Sequence, residues 1–256
     1  MINYLKQNLA NIFTGANLFC GFAGIINSLH GDIVYGAYFI LWAAFFDFLD
    51  GFTARKLNTS SDFGKQFDSF ADLISFGLLP AVILHILLLE THTNWIEFVL
   101  FTDIPALAFV PFGIVLFAAI RLTIFNNDET QKLHFKGLPT PAVALFVASL
   151  PLILKYDLYV FRYESIYFNH IILNPWFLLL LTAFLSLMML SRLPLLSFKM
   201  KSFKLSDNYP QYILILLFIL FFIFFFFLAI PLIILIYIGF SFIFKNKSHE
   251  KSINSS

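Results

Sequence analysis

The sequence predicts an all-α fold, a polytopic transmembrane helical bundle of about eight spans, and three observations carry that prediction. Of the 256 residues 60% are hydrophobic and only 12% charged, with a mean hydropathy of +0.85, outside the balance of a soluble domain. Apolar runs of the roughly 17–25 residues needed to cross a hydrocarbon core as a helix recur along the chain. These runs are unbroken, as at 213–230, whereas the strands of a membrane β-barrel would alternate apolar and polar residues over about ten positions.

Charged and turn residues divide the runs into spans near 10–29, 33–55, 65–89, 104–125, 139–155, 173–191, 210–228 and 230–244. Between the last two, Ala229, Ile230 and Pro231 offer a break without a polar turn, so one long kinked helix is the alternative there. Lys and Arg collect on cytoplasmic loops, which tests the count. With eight spans and both termini cytoplasmic, fourteen of the sixteen basic residues fall on the cytoplasmic side, all but Lys155 and Arg162. A kinked final helix would place Lys245, Lys247 and Lys251 on the wrong face, so the bias favours eight. An integral protein of the inner or cytoplasmic membrane is expected.

Trp95, Tyr156, Tyr159, Tyr163, Tyr167 and Trp176 stand at the outer edges and fit an interfacial belt, and the Phe-rich stretch 218–227 reads as lipid-facing surface. The basic run 192–204 reads as positive-inside topology, with a surface for anionic lipid as the alternative. His30 and His85 read as interfacial or packing residues. The single cysteine, Cys20, excludes a disulfide framework and a thiolate zinc cluster, and reads as a packing residue. A net charge of +1 without a basic stripe gives no nucleic-acid signal. The opening MINYLKQN has no charged stretch followed by a cleavable apolar one, so no signal peptide is expected.

The anomaly lies in the second and third spans, which read Asp47-Phe-Leu-Asp50-Gly51-Phe-Thr-Ala54-Arg55 and, eight residues on, Gly64-Lys-Gln-Phe-Asp68-Ser-Phe-Ala-Asp72. Helical residues three or four apart share a face, so Asp47 pairs with Asp50 and Asp68 with Asp72. A short cytoplasmic loop makes the two helices antiparallel neighbours, so the pairs can face each other. Each acid in a membrane costs about 2.5–3.5 kcal/mol, and clustered charges repel. Arg55 neutralises one charge at most, which leaves bound cations or protonation. All-oxygen ligands favour hard ions such as Mg2+ or Mn2+ over zinc, and a site for two cations is the economical answer. Gly51, Ala54 and Gly64 present little bulk beside the carboxylates, where a substrate or helix can approach.

The pattern Asp-x2-Asp-Gly-x2-Ala-Arg-x8-Gly-x3-Asp-x3-Asp resembles the CDP-alcohol phosphotransferase signature at every fixed position and spacing. The resemblance implies a family core of six spans, with residues 1–195 as that core and 196–256 as additional helices and a polar tail. It implies that Asp47, Asp50, Asp68 and Asp72 hold the metals. It further implies that Gly51, Ala54 and Arg55, with Gly64, accommodate the CDP moiety, that Asp72 deprotonates the acceptor alcohol, and that the protein is a homodimer. A two-metal clamp on the pyrophosphate and an adjacent base suit displacement of CMP.

The segments 17–22, 69–81, 121–126 and 135–142 are similar to the phosphatidylserine synthase branch of the family, over roughly residues 8–145. The resemblance implies CDP-diacylglycerol and serine as substrates. One departure is Ala10-Asn11, where many relatives have Pro-Asn. Thr14 and Asn17 are therefore read either as nucleotide contacts or as polar residues bonding between helices. Serine carries a carboxylate, so its site needs a cation near the metals. Arg121 is the first candidate, against an arginine snorkelling to the headgroups, and Lys136 the second. Asn126 either orients substrate or caps its helix. Glycerol 3-phosphate, inositol phosphate, ethanolamine and choline are the alternative acceptors. A divalent-cation transporter is the alternative of another class, although the aspartate segment has no repeat in 130–256.

Overall fold

A computed structural model describes residues 2–57, 61–91, 99–101, 104–128, 137–157, 165–191, 193 and 209–253. Its helices follow the eight apolar segments closely. Where water is absent a backbone must satisfy its own N–H and C=O groups, and helices do so within one segment.

Helix α1 (Ile2–Leu29) and helix α2 (Ile33–Leu57) form a tight antiparallel pair. Gly31, at φ +97, makes the reversal, with its N–H donating to the Ser28 carbonyl at 2.9 Å and that of Asp32 to Asn27 at 3.0 Å. The pair is close because it is small-sided: a Cβ on Gly36 would stand 2.1 Å from Ser28 Oγ. In lipid, where burial of apolar surface gives little drive, such close backbone approach is what holds helices together.

Helix α3 (Asp62–Asp72) starts at Ser61, whose hydroxyl accepts the Gly64 N–H at 3.0 Å, a normal N-cap. It runs through a wide turn at Leu73–Leu78, where the Leu79 N–H reaches back five residues to Ile74, into helix α4 (Leu79–Leu89). Pro80 explains the wide turn, since its ring would press on the carbonyl four residues back in an ordinary helix. This composite helix is the axle of the molecule. Phe76, Leu79, Ile83, Leu84 and Leu87 are fully buried against Ile40 and Ala43 of α2 and against the remaining helices.

A short antiparallel pairing of β1 (Val99–Phe101) with β2 (Ile104–Pro105) and a 3-10 stretch at Ala106–Phe112 precede helix α5 (Gly113–Asn127). The fourth span is thus helical from 106, and its first turns are tightened around Pro111, which cannot donate a backbone bond. Helix α6 (Thr140–Leu152) ends in a second wide turn, Ile153–Asp157. Helix α7 (Ser165–Ile172) is a short element the sequence reading lacks, and helix α8 (Pro175–Leu190) is N-capped by Asn174, which accepts from Trp176 and Phe177.

Helix α9 (Tyr209–Phe225) and helix α10 (Ala229–Ile253) are separated by a 3-10 turn at Phe226–Leu228, with Phe226 at φ +47. The turn lies at the end of the bundle away from the aspartates. The Phe227 ring lies 5.6 Å from that of Tyr156, and the Tyr38 hydroxyl, at that end of α2, donates to the Tyr156 hydroxyl at 2.7 Å. Helices α9 and α10 pack on each other across the turn. The kinked-helix alternative therefore fails, and the break falls three residues earlier than Ala229. Phe224, Ile223 and Leu216 are exposed, in keeping with a lipid-facing surface, and Cys20 is buried.

Among the described residues five stretches are long and apolar enough to cross a membrane, Leu9–Leu29, Ile33–Leu57, Asp62–Leu89, Ala106–Asn127 and Gln211–Ser241, the last of which contains the turn between α9 and α10, with shorter apolar helices at Thr140–Tyr156 and Pro175–Leu190. The protein is an integral membrane protein.

Candidate metal centre

The acids of α2 and α3 converge because their helices are antiparallel neighbours joined across residues 58–60 and both pack on α1. One carboxylate oxygen from each of Asp47, Asp68 and Asp72 lies within 4.8 Å of the other two. Asp68 also lies within electrostatic reach of Asp50, and Asp72 within that of Arg121. Asp50 stands slightly apart. It is buried and accepts a hydrogen bond from the Thr14 hydroxyl of α1.

Beside the acids a cleft of about 150 Å3 opens between α1, α2 and the start of α3. Asp47, Asp50 and Asp68 form its acidic wall, Gly51, Ala54 and Gly64 its small-residue wall, and Ala10, Asn11, Ser61 and Lys65 complete the rim. Asp72 lies one turn deeper, 8% exposed. A Cβ on Gly51 would meet nothing closer than the Arg55 guanidinium at 4.0 Å, so side-chain bulk there would project into the opening. One on Gly64 would come within 3.1 Å of Ser61 Oγ and 3.5 Å of Asn11 Oδ1, so Gly64 keeps the rim of α3 against α1. Arg55 is exposed beyond the cleft wall.

Helix α1 closes the back of the site. Asn17 is fully buried; its Nδ2 donates to Asp72 Oδ1 at 3.3 Å, while its Oδ1 has no hydrogen-bond partner among the described residues. Thr14 and Asn17 therefore bond between helices, onto the acids themselves. The backbone of Asn17 is used as well, its carbonyl accepting from Ser75 Oγ at 2.9 Å. Close approach permits this, since a Cβ on Gly21 would stand 2.5 Å from Ser75 Oγ.

Arg121 of α5 is 7% exposed, so it is packed inside the bundle and does not snorkel to the headgroups. Asn126 is exposed and does not cap its helix. Its Nδ2 donates to Ser69 Oγ at 2.8 Å, tying the exposed end of α5 to α3 beside Asp68, while the helix ends at Asp128. Lys136 lies outside the described residues, as do Trp95, Tyr159, Tyr163 and most of the basic run 192–204. Gly137, next to Lys136, has φ +76 and its N–H donates to the Leu193 carbonyl at 3.0 Å, just past the end of α8.

The residues fit a divalent cation on chemical grounds. Four carboxylates share this region against the positive charges of Arg121 and of Lys65 on the rim, so protein charge alone does not balance the acids. The donor atoms are all oxygens, with Asn17 Oδ1 as a further buried acceptor, the set preferred by hard cations.

The family model for CDP-alcohol phosphatidyltransferase matches residues 7–188, which contain the whole constellation. The chain belongs to the CDP-alcohol phosphatidyltransferase family. Curated relatives agree. The chain is 32% identical over 139 residues to the CDP-diacylglycerol--serine O-phosphatidyltransferase of Bacillus subtilis (strain 168), covering 54% of this chain and 72% of that protein. It is 31% identical over 166 residues to the protein of the same description from Helicobacter pylori (strain ATCC 700392 / 26695), covering 64% of this chain and 65% of the relative. An archaetidylserine synthase from Methanothermobacter thermautotrophicus (strain ATCC 29096 / DSM 1053 / JCM 10044 / NBRC 100330 / Delta H) is 32% identical over 143 residues, 55% of this chain and 56% of the archaeal protein. Divalent-cation dependence is general for this family, and the acidic cluster of this member suits it.

Sequence reasoning missed Ser61, Asn11 and Ala10 as cleft residues. Ser61 had a local signal, as a serine preceding Asp62 at a helix start.

Proposed function

We propose that this protein is a phosphatidylserine synthase, transferring the phosphatidyl group of CDP-diacylglycerol to the hydroxyl of L-serine with release of CMP. The observation that carries the reading is the cluster of Asp47, Asp68 and Asp72 in a chain whose curated relatives are described as CDP-diacylglycerol--serine O-phosphatidyltransferases, and the burial of Arg121 in the same bundle supports it. A carboxylate-bearing acceptor needs a fixed cation beside the reacting centre, and Arg121 would be that cation.

Asp47, Asp50, Asp68 and Asp72 would hold one or two Mg2+ or Mn2+ ions. Such ions, when bound, neutralise the pyrophosphate and stabilise the departing CMP. The chain's own residues do the rest. Gly51, Ala54 and Gly64 would leave room for the CDP moiety in the cleft, and Arg55 at its edge would meet a phosphate oxygen. Asn17 and Thr14 fix the orientations of Asp72 and Asp50 by hydrogen bonding. The serine hydroxyl oxygen attacks the phosphorus bearing the diacylglycerol, its proton passes to Asp72, and the bond from that phosphorus to the CMP oxygen breaks. Arg55, Lys56 and Lys65 stand at the end where the cleft opens, and the positive-inside bias of the sequence supports an active site that faces the cytoplasm, where CMP and serine are soluble, while acyl chains stay in the bilayer. Residues 1–195 act as the catalytic core, and the working form is a homodimer.

The test is a panel of acceptors offered to purified protein with CDP-diacylglycerol and Mn2+. CMP release with serine, and little with inositol phosphate, glycerol 3-phosphate, ethanolamine or choline, is expected. Release with one of the others and none with serine would overturn the choice of acceptor, and metal uptake into proteoliposomes without any CMP release would overturn the reaction.

A further inference from the structure

Two buried side-chain oxygens on α1 have no hydrogen-bond partner among the described residues, and they stand in different surroundings. Ser28 Oγ faces the small-sided seam with α2, where a Cβ on Gly36 would stand 2.1 Å away, so close packing accounts for it. Asn17 stands eleven positions earlier, about 16 Å along the helix, and lies beside the acids. It is fully buried, and its Nδ2 donates to Asp72 Oδ1 at 3.3 Å. The oxygen and nitrogen of a carboxamide are about 2.2 Å apart by their bond lengths, so Asn17 Oδ1 is at most about 5.5 Å from Asp72 Oδ1.

The residue is held from a second side. Its carbonyl accepts from Ser75 Oγ at 2.9 Å, in the wide turn that follows Asp72, and the bare Gly21 lets α1 come that close. Asn17 is thus tied by side chain and backbone to the element that carries Asp68 and Asp72. Asp50, by contrast, accepts from Thr14 and stands outside the group of Asp47, Asp68 and Asp72, whose oxygens lie within 4.8 Å of one another. Oxygens that share a six-coordinate Mg2+ at about 2.1 Å stand about 3–4 Å apart, close to the spacing of that group. A buried carbonyl oxygen is costly unless something bonds to it, and hard cations accept such an oxygen as a ligand.

We propose that Asn17 Oδ1 is a ligand of the cation held by Asp47, Asp68 and Asp72, so that α1 supplies a neutral oxygen to a site whose charged ligands come from α2 and α3. The inference rests on the reading of these acids as a cation site. A neutral ligand adds to the coordination without adding a further charge to a group that already repels itself. The carboxamide works at both ends, its N–H holding Asp72 and its oxygen meeting the ion. Three helices, α1, α2 and α3, thereby meet at one ion.

Mn2+ binding to the purified full chain tests it, read without substrate from the loss of the electron paramagnetic resonance signal of free Mn2+. Asn17→Leu removes both ends of the carboxamide at similar size, and a rise of at least about tenfold in the Kd for Mn2+ is expected, the weight of a group that touches or holds a metal ligand. Asn17→Asp separates the two ends, since it keeps an oxygen and loses the N–H. It is expected to bind Mn2+ at least as tightly as the wild type, and to melt lower than the wild type in chelator, where a further acid has no ion to face. Ser28→Ala, at the other unpartnered oxygen of α1, is expected to leave the Kd unchanged. Weaker Mn2+ binding in Asn17→Asp would overturn the ligand role whatever Asn17→Leu does, leaving Asn17 to hold Asp72 alone. An unchanged Kd in Asn17→Leu would overturn it too. Wild-type protein that binds no Mn2+ would remove the cation-site reading, and this inference with it.

Discussion

The two halves of the continuous helix Asp62–Leu89 are built on opposite rules. Before the wide turn, α3 is amphipathic, with Phe63, Lys65 and Phe70 outward, Asp68 in the cleft and Asp72 behind it. After it, α4 has no polar residue but His85, whose ring bonds to the Ala108 carbonyl at 2.7 Å, and eight of its eleven residues are buried. The difference teaches how a membrane protein places charge in oil: an apolar half locked by packing holds the position of a half that packing alone would not keep. Reactivity and rigidity are thus properties of one element, separated along its length.

Three substitutions would break or sharpen that division. The largest effect is expected from Asp72→Asn, which removes a charge at nearly constant volume. CMP release should fall by about a hundredfold to ten-thousandfold, the usual weight of a positioned base, while the variant remains folded. Thermal melting with and without Mn2+ checks the electrostatic side. In chelator the variant should melt no lower than the wild type, because one of the mutually repelling acids is gone, and its stabilisation by Mn2+ should shrink. A variant that releases CMP normally would separate α3 from the chemistry.

Leu84→Ala on α4 should do the reverse. Leu84 is fully buried, and truncation at such sites costs about 2–5 kcal/mol of stability. The melting temperature should drop with KM for both substrates close to normal in the folded fraction, and a large change in KM at unaltered stability would deny the division of labour. Ser75→Ala, in the wide turn between the halves, should be mildest. It deletes one hydrogen bond to the Asn17 carbonyl, worth about 0.6 kcal/mol between membrane helices. A small loss of stability together with a modest fall in turnover is expected, since Asn17 also holds Asp72.

Most of the architecture was legible because a bilayer leaves few choices: an apolar run of sufficient length has to become a helix, and basic residues sort by side. The acids were legible for a complementary reason, their cost in that setting, and the spacing of Asp47, Asp68 and Asp72 carried through to a cluster. What stayed hidden depends on long-range packing. Asp50 has the same standing in the motif as its neighbours, yet the Thr14 bond that sets it apart comes from another helix. Arg121 at a helix end reads equally as snorkelling or buried, and only the packing of α5 within the bundle decides. The short helix α7 escaped because it is too brief to give a spanning signal, and the bend at Phe226 because a phenylalanine with φ +47 has no turn chemistry to betray it.

The wide turn at Leu73–Leu78 also acts as an angular setting. A helix advances about 100° per residue, so the additional residue accommodated there offsets the compass bearing of α3 from that of α4 by that amount. Were one residue removed, the turn would wind back to the ordinary repeat and the acids would swing by more than a quarter of a revolution while the apolar shaft stayed clamped. The interval from Asp72 to Pro80 is therefore as tightly constrained in length as the intervals between the acids, although no chemical group within it takes part in the reaction.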